Sequence, residues 1–330
     1  MNNIYILDKI SFEKKINKLK ADGSINLHII SDWDSTLTKK FFNGEGVGSS
    51  FAKLKNNSYL DNDYSSKAES LRNEYRPIQL AYDISLDIKS RKMLEWWKKH
   101  LDLLICSGMH RNIIMDIISK KEIHPRDGFF EFLDILQKNR IPMFIFSAGL
   151  GDFIKEFLIS EEKLTDNVNI ISNFFKFSEF GKAVSYYELI VHNFNKGEIF
   201  INDFSNYENI KDIAEDIKNH TNSMSLANSK GRPICSNNNV LCYRKNAILL
   251  GDSIDDAKII AGSNFDCVIK IGFLNYDVDE LLDAYSKNFD VLILNDSSLD
   301  YINNLLKEIS LIVIFYSLIH INELKSYAIL

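Results

Sequence analysis

The sequence of residues 27–38, LHIISDWDSTLT, is a short apolar run that leads directly into two acidic side chains. The run 27–31 predicts a buried strand with functional groups at its C-terminal end. Asp32 and Asp34 are two positions apart, so in extended backbone their carboxylates point the same way. Two like charges at that spacing are unfavourable unless they share a cation or a proton. Because Mg²⁺ binds carboxylate and carbonyl oxygens, the stretch predicts a Mg²⁺ site at the end of a strand.

Strands and helices alternate through the second part of the chain, from Pro125 to about residue 300. The predicted strands are 142–147, 168–172, 247–251, 267–271 and 289–294, and the predicted helices are 127–139, 152–159 and 254–261. Such alternation is typical of an α/β fold with a parallel sheet and helices on both faces. Ligands of these folds bind outside the carboxyl ends of the strands, where Asp32 and Asp34 are expected.

Residues from about 56 to 121 lack a convincing buried strand and are helical in pattern. The stretches 64–75 and 84–105 place apolar side chains at intervals of three and four residues. An apolar stripe of this kind is typical of packing in a small helical bundle. Because the block follows the first strand so closely, we predict a helical cap over 46–121. It would be inserted into an α/β core formed by 1–45 and 122–330.

Two further motifs have residue types that suit an anionic ligand. Ser147-Ala148-Gly149 follows the predicted strand 142–147 and precedes a helix. A hydroxyl and exposed backbone N–H groups at such a place suit phosphate oxygens, although the same residues are frequent in ordinary turns. Lys196, taken alone, is typical of a solvated surface charge.

A second acidic cluster, GDSIDD at 251–256, follows the predicted strand 247–251. Its carboxylates would reach the same crevice as Asp32 if both strands belong to one parallel sheet. The same residues also suit a helix N-terminus, where Asp252 or Ser253 caps the first turn and the acidic residues behind it favour the helix dipole. Both interpretations can hold together.

The overall composition narrows the class of protein. The 330 residues have a formal net charge of −6, which argues against a nucleic-acid polymer as the main partner. The N-terminus lacks the pattern of a secretory signal peptide, so we expect a cytoplasmic protein. In the tail 309–330, the apolar stretch 309–321 is shorter than the roughly 20 residues of a membrane span. It predicts a docking helix or weak self-association, with contact to a membrane surface as the alternative. The polar, Asn-rich stretch 205–240 predicts a surface insertion.

The order of the motifs is informative in itself: DWDST at 32–36, Ser147, Lys196 and GDSIDD at 251–256. In this order they resemble the haloacid dehalogenase superfamily. Longer stretches resemble more specifically the cytosolic pyrimidine 5′-nucleotidase family (cytosolic 5′-nucleotidase III), namely 141–154, 188–196, 248–262 and 268–300. The resemblance implies a Rossmann-like haloacid dehalogenase core with an inserted helical cap domain. It also implies a Mg²⁺-dependent hydrolase of the pyrimidine nucleoside 5′-monophosphates UMP and CMP.

The resemblance implies a role for each acidic motif residue. Asp32 would be the nucleophile that forms an aspartyl phosphate, and Asp34 would be the general acid and base. Mg²⁺ would be held by Asp32, by the backbone carbonyl of Asp34 and by Asp252. Asp256 would orient this metal site from behind, and Thr36 would brace the loop that carries the two aspartates.

The resemblance divides substrate binding between the core and the cap. The phosphoryl group would be bound by the Ser147 side chain, the Ala148–Gly149 backbone and Lys196. Gln79 falls where the family has a glutamate that contacts the base. Ionised Glu only accepts hydrogen bonds whereas Gln also donates, so Gln79 suits uracil and we expect a preference for UMP. His100 falls where the family has a substrate-contacting serine, unless it only ends the cap helix.

Other functions stay open at this point. A 7-methyl-GMP nucleotidase and a nucleoside phosphotransferase would use the same catalytic residues. A phosphoserine phosphatase shares the D-x-D-S-T opening and a helical cap, but the stretch 268–300 and the cap tryptophans favour the nucleotidase. A non-catalytic nucleotide-binding interaction protein is expected to lack a catalytic residue, and here the whole set is present.

Overall fold

The structure is a computed structural model that describes residues 3–56, 59–197 and 244–310. The strands in this part of the chain are β1 (Ile4–Tyr5), β2 (Leu27–Ser31), β3 (Phe41–Phe42), β4 (Glu45–Gly46), β5 (Met143–Leu150), β6 (Val168–Asn173), β7 (Phe175–Phe177), β8 (Ala183–Tyr186), β9 (Asn246–Gly251), β10 (Cys267–Leu274) and β11 (Val291–Leu294). Seven of them form one sheet, in the order β1-β11-β10-β9-β2-β5-β6. Strands β3 and β4 pair as one small hairpin, and β7 and β8 pair as another.

Helices flank this sheet on both faces. The helices of the described ranges are α1 (Lys9–Asp22), α2 (Ser50–Asn56), α3 (Tyr64–Leu80), α4 (Leu86–Cys106), α5 (Arg111–Ser119), α6 (Phe129–Lys138), α7 (Gly151–Ser160), α8 (Val278–Ser286) and α9 (300–310). Helix α6 begins later than predicted because Gly128 adopts a left-handed φ of 84° just before it.

The large sheet is parallel apart from one edge. Each neighbouring pair is parallel except β1 with β11, which is antiparallel. Strand β2 is buried along its whole length, as is β9. Parallel strands need cover on both faces, which explains why their sequences are continuous apolar runs rather than alternating ones. The predicted α/β class is confirmed.

Helices α2 to α5 lie within the stretch assigned to the cap, and the boundaries of that cap stay a prediction. Helices α3 and α4 pack together around Tyr75, Met93 and Trp96, which are buried. The next residue of α4, Trp97, donates its indole N–H to the carbonyl of Ala148 at 2.6 Å. Since Ala148 belongs to β5, this bond ties α4 directly to the carboxyl end of the central sheet.

The predicted helix 254–261 is wrong. The structure has only a 3-10 turn there, over Asp256–Lys258. The Asp256 carboxylate accepts a hydrogen bond from the backbone N–H of Ser253 at 3.1 Å. A side chain that binds its own backbone in this way competes with helical hydrogen bonds.

Two predictions fall mostly outside the described residues. The insertion 205–240 lies entirely outside them, and of the tail 309–330 only Ile309 and Ser310, both buried in α9, lie within them. Over the ranges that the structure describes, the helices are too short or too polar to cross a membrane.

Candidate active site

The polar motifs meet at one edge of the sheet because three central strands end there. Strand β2 lies between β9 and β5, and both pairings are parallel. Asp32 follows β2 directly, and its N–H donates to the carbonyl of Leu250 in β9 at 3.0 Å. Asp252 follows β9, and Ser147 lies in the last part of β5. The side chains thus lie at the carboxyl ends of adjacent parallel strands, where α/β folds bind their ligands.

Lys196 is a buried cation that joins two of the acidic side chains. Its Nζ donates to Asp32 Oδ1 at 2.6 Å and to Asp256 Oδ1 at 2.7 Å. All three residues are at most 6% exposed. Burial disfavours the charged ammonium, but the two carboxylates outweigh burial and raise the pKa of Lys196. Lys196 is therefore not the surface charge that the residue type alone suggests.

Burial makes the negative charge of the carboxylates around Lys196 unfavourable. Burial raises the pKa of Asp32 to about 7, against the opposing effect of Lys196. Burial also raises the pKa of Asp252 well above its ordinary value, and the nearby charges of Asp32 and Asp256 add to that shift. Within the described ranges, the Lys196 ammonium forms ion pairs with Asp32 and Asp256 but not with Asp252. The cluster therefore favours a further cation.

The same carboxylates have the arrangement of a metal site. One oxygen each from Asp32, Asp252 and Asp256 lie within 4.8 Å of one another. An all-oxygen donor set fits Mg²⁺, a hard cation that takes carboxylate ligands. Asp256, expected behind the metal ligands, has its carboxylate beside the other two. The carboxylate of Asp34 is not part of this group, and only its backbone carbonyl was expected to bind the metal.

Asp34 faces a different environment from Asp32. It lines a cavity together with Ser147, Ser50, Lys53 and His124. Burial raises the pKa of Asp34, while the charge of Lys53 opposes the shift. A carboxyl group that is biased toward its protonated form beside a cavity is suited to proton transfer.

The last part of β5, Ser147 to Gly149, is held from two sides. The N–H of Gly149 donates to Ser147 Oγ at 3.0 Å. The carbonyl of Ala148 accepts hydrogen bonds from the indole of Trp97 at 2.6 Å and from the amide of Asn173 at 3.0 Å. The Ser147–Gly149 segment is therefore fixed by both α4 and the neighbouring strand β6, so its backbone groups are preorganised.

The loop of the two aspartates is held by Arg126, which sequence reasoning missed. Its guanidinium donates to the carbonyls of Ser35 and Thr36 at 2.6 and 2.7 Å and pairs with Asp296 at 3.0 Å. Ser35 has a left-handed φ of 61°, an uncommon conformation that these bonds stabilise. The hydroxyl of Thr36 has no hydrogen-bond partner within the described ranges, so its bracing role stays a prediction.

The two predicted base-contacting residues both lie in the cap. Gln79 is buried on α3, and its Oε1 accepts a hydrogen bond from Arg76 at 2.6 Å. His100 lies inside α4, which continues to Cys106, so His100 does not end the helix. Its Nε2 lies 3.0 Å from the hydroxyl of Tyr64, and burial lowers the pKa of His100 to about 4. His100 is therefore neutral near pH 7, and contacts of either residue with a base stay predictions.

Comparison with known protein families identifies one match over most of the chain. A family model described as pyrimidine 5′-nucleotidase (UMPH-1) matches residues 35–310. The matched range includes Ser147, Lys196 and Asp252 and begins just after Asp34. Asp32 and Asp34 lie just outside the matched range, so the roles proposed for them rest on the site geometry.

Curated relatives and a solved structure agree with that match. A protein of Drosophila melanogaster named 7-methylguanosine phosphate-specific 5′-nucleotidase is 30% identical over 301 residues, which are 91% of this chain and 85% of the relative. The human protein of the same name is 28% identical and covers 89% of this chain and 88% of its own. A crystal structure of cytosolic 5′-nucleotidase IIIB bound to cytidine superimposes with a TM-score of 0.73, at 27% identity and over 94% of both chains.

Proposed function

The chain belongs to the pyrimidine 5′-nucleotidase (UMPH-1) family, and on that premise we propose the reaction it catalyses. It is a Mg²⁺-dependent enzyme that hydrolyses pyrimidine nucleoside 5′-monophosphates through an aspartyl phosphate on Asp32. The proposal rests on one observation, a buried cluster of charged side chains. In this cluster Lys196 forms ion pairs with Asp32 and Asp256, and the carboxylate of Asp252 lies beside them. A nucleophilic carboxylate, a fixed cation and a set of metal donors are thereby brought together at the strand ends.

The metal would be held by residues already adjacent in the structure. Asp32 and Asp252 would supply carboxylate oxygens, Asp34 its backbone carbonyl, and Asp256 a further carboxylate beside them. When bound, the ion would neutralise charge, so that an anionic carboxylate can approach an anionic phosphate.

The first half of the reaction transfers the phosphoryl group to the protein. Lys196 orients Asp32, and Ser147 with the N–H groups of its turn holds the phosphoryl oxygens. A carboxylate oxygen of Asp32 attacks phosphorus while the bond from phosphorus to the 5′ oxygen breaks. Asp34, which burial biases toward its protonated form, gives its proton to the 5′ oxygen, and the nucleoside leaves.

The second half returns the enzyme to its starting state. Asp34 is now a carboxylate and takes a proton from a water molecule as the water oxygen attacks phosphorus. The bond between phosphorus and Asp32 breaks, and inorganic phosphate leaves. Asp34 ends the cycle protonated, as it began.

The contact between Gln79 and Arg76 supports a preference for UMP. Because Gln79 Oε1 already accepts a hydrogen bond from the guanidinium, the amide offers its N–H groups to a base. Uracil presents carbonyl oxygens that accept such bonds, whereas the exocyclic amine of cytosine is a donor. We therefore place UMP ahead of CMP.

A second candidate substrate is 7-methyl-GMP. The observation that favours it is the name shared by relatives from the fly, mouse and human, which are 7-methylguanosine phosphate-specific 5′-nucleotidases. The cationic base of 7-methyl-GMP suits a carboxylate better than an amide, so Gln79 places this substrate behind UMP.

Phosphate release from UMP, CMP, dUMP, AMP, GMP, 7-methyl-GMP and phosphoserine tests the proposal. We expect release from UMP that stops with EDTA and with Asp32→Asn. A matched Gln79→Glu variant should shift the preference from UMP toward CMP and 7-methyl-GMP, because its carboxylate only accepts. A wild-type preference for 7-methyl-GMP would refute the pyrimidine assignment, and release from phosphoserine alone would refute the nucleotidase.

A further inference from the structure

Helix α2 brings a second lysine to the site, in addition to Lys196. Lys53 lines the cavity that contains Asp34 and Ser147, the predicted acid and the predicted phosphate ligand. Its Nζ donates to the carbonyl of Gly48 at 3.0 Å. An ammonium has three N–H groups, so this bond leaves donors for another acceptor.

The position of Lys53 is fixed by its own helix. Ser50, one turn earlier on α2, accepts a hydrogen bond from the N–H of Leu150 at 3.2 Å and is buried. A Cβ on Gly149 would lie 3.2 Å from Ser50 Oγ and 3.4 Å from Asp34 Oδ2, so α2 packs directly against the phosphate-binding turn. Positions three apart on a helix share a face, and the face of Ser50 is also that of Lys53.

The charge of Lys53 interacts electrostatically with Asp34. Burial lowers the pKa of Lys53, against the opposing effect of the Asp34 and Glu122 carboxylates. Among the cations that act on Asp34, the effect of Lys53 is larger than that of Lys196. Lys196 itself forms ion pairs with two carboxylates, so a second cation on the side of Asp34 would add to the charge available to a phosphate dianion.

We propose that Lys53 is a second phosphate-binding cation, which contacts a phosphoryl oxygen of the bound nucleoside monophosphate. The proposal rests on the proposed function because it assigns the residue to the same reaction. It makes α2 a part of the catalytic machinery, with Ser50 as the contact that positions Lys53.

Binding of inorganic phosphate, measured by calorimetry in the presence of Mg²⁺, tests the proposal without catalysis. Lys53→Met should weaken phosphate binding by about 10- to 100-fold, the loss expected for one hydrogen bond to a charged group. Lys53→Gln keeps a donor for the Gly48 carbonyl but removes the charge, and it should weaken binding to a similar degree. Lys53→Arg should recover most of the affinity, because it restores a cation with several donors.

Lys55→Met is the matched control. Lys55 lies on the same helix, is exposed and pairs with Glu69 at the surface. It should bind phosphate within about twofold of the wild type, since exposed ion pairs contribute little. The KM for UMP should rise in the two Lys53 variants that lack charge and stay unchanged in this control.

The outcomes separate the two proposals. Wild-type affinity in Lys53→Gln would show that Lys53 only ties down the Gly48 loop, and the inference would be wrong. A wild-type protein that binds phosphate in a Lys53-dependent way but releases none from any nucleotide would refute the proposed function and keep the phosphate site. If Lys53→Met binds phosphate as tightly as the Lys55→Met control does, the inference is wrong, whatever the enzymatic activity.

Discussion

The different roles proposed for Asp32 and Asp34 follow from their different surroundings. Asp32 is in contact with the Lys196 ammonium at 2.6 Å, which orients its carboxylate and favours its charged form. Asp34 lines the neighbouring cavity, and burial raises its pKa. Burial raises the pKa of both carboxyl groups, so what distinguishes them is the neighbouring cation, Lys196 for Asp32 and Lys53 for Asp34. The direct ion pair suits the proposed nucleophile, and the position beside the cavity suits the proposed proton donor.

Replacement of the proton donor should affect the two halves of the reaction differently. Asp34→Asn should lower kcat for UMP by about 10²- to 10⁴-fold, the usual contribution of general acid–base catalysis. With p-nitrophenyl phosphate the leaving group needs no proton, so the first half should survive while the water step stays slow. Rapid mixing should then show a burst of about one nitrophenolate per enzyme. Absence of that burst, with the variant folded and metal bound, would contradict the assigned role.

The contacts of Arg126 and Lys196 could not be predicted from their residue types alone. Lys196 has no sequence signal of its own, and only its position among other motifs singled it out. Arg126 binds carbonyls of Ser35 and Thr36, about 90 positions away in the chain, so its role is set by tertiary structure. The main bonds of the aspartate loop were therefore not predictable, although its aspartates were.

At the scale of elements, helix α4 carries two adjacent tryptophans with different tasks. Trp96 is buried and stacks on Tyr75, with ring centroids 5.9 Å apart, and its indole N–H has no partner within the described ranges. Trp97 donates its N–H to Ala148, in the segment proposed to bind phosphate. The pair offers a matched test of how the cap supports the site.

Phenylalanine at each position should separate the hydrogen bond from the packing. Trp97→Phe should lower kcat/KM for UMP by about 2- to 12-fold, because a typical hydrogen bond contributes roughly 0.5–1.5 kcal/mol. Trp96→Phe should change kcat/KM less than about twofold and mainly lower the melting temperature, since it loses buried ring area without a bond. Equal effects on kcat/KM in steady-state assays would show that the Ala148 contact is unimportant.

The elements that end at the site were the most predictable ones. The apolar runs 27–31 and 247–251 match β2 and β9, because buried parallel strands leave continuous apolar sequence. The stretch 254–261 was mispredicted because its acidic start also suits a helix N-terminus. There the Asp256 carboxylate binds the Ser253 N–H and the Lys196 ammonium instead of leading into a helix.

At the scale of the whole molecule, the carboxylate cluster links stability to the metal. Asp252 has a raised pKa, and its charged form in the folded protein is less favourable than in the unfolded chain. This unfavourable contribution is present at pH values above the unfolded pKa and disappears as the group becomes protonated at lower pH. A divalent cation that binds only the folded state would offset this repulsion and raise the free energy of unfolding.

Asp252→Asn should therefore have opposite effects with and without metal. In EDTA at pH 7 the variant should melt above the wild type, because a buried like charge is gone. In Mg²⁺ the wild type should gain about 2.7 kcal/mol at 100 times Kd, and the variant should gain much less. Asp279→Asn, an exposed change in the first turn of α8, is the control and should behave as the wild type. A wild type that Mg²⁺ does not stabilise would argue against the metal site.

Trapping of the phosphorylated enzyme tests the aspartyl phosphate on Asp32 most directly. UMP with labelled phosphorus would be mixed with the enzyme and Mg²⁺, and the reaction stopped in acid within milliseconds. We expect label on the wild-type protein that hydroxylamine removes, as an acyl phosphate requires, and none on Asp32→Asn. Normal phosphate release by Asp32→Asn, or label that stays on that variant, would contradict the proposed nucleophile.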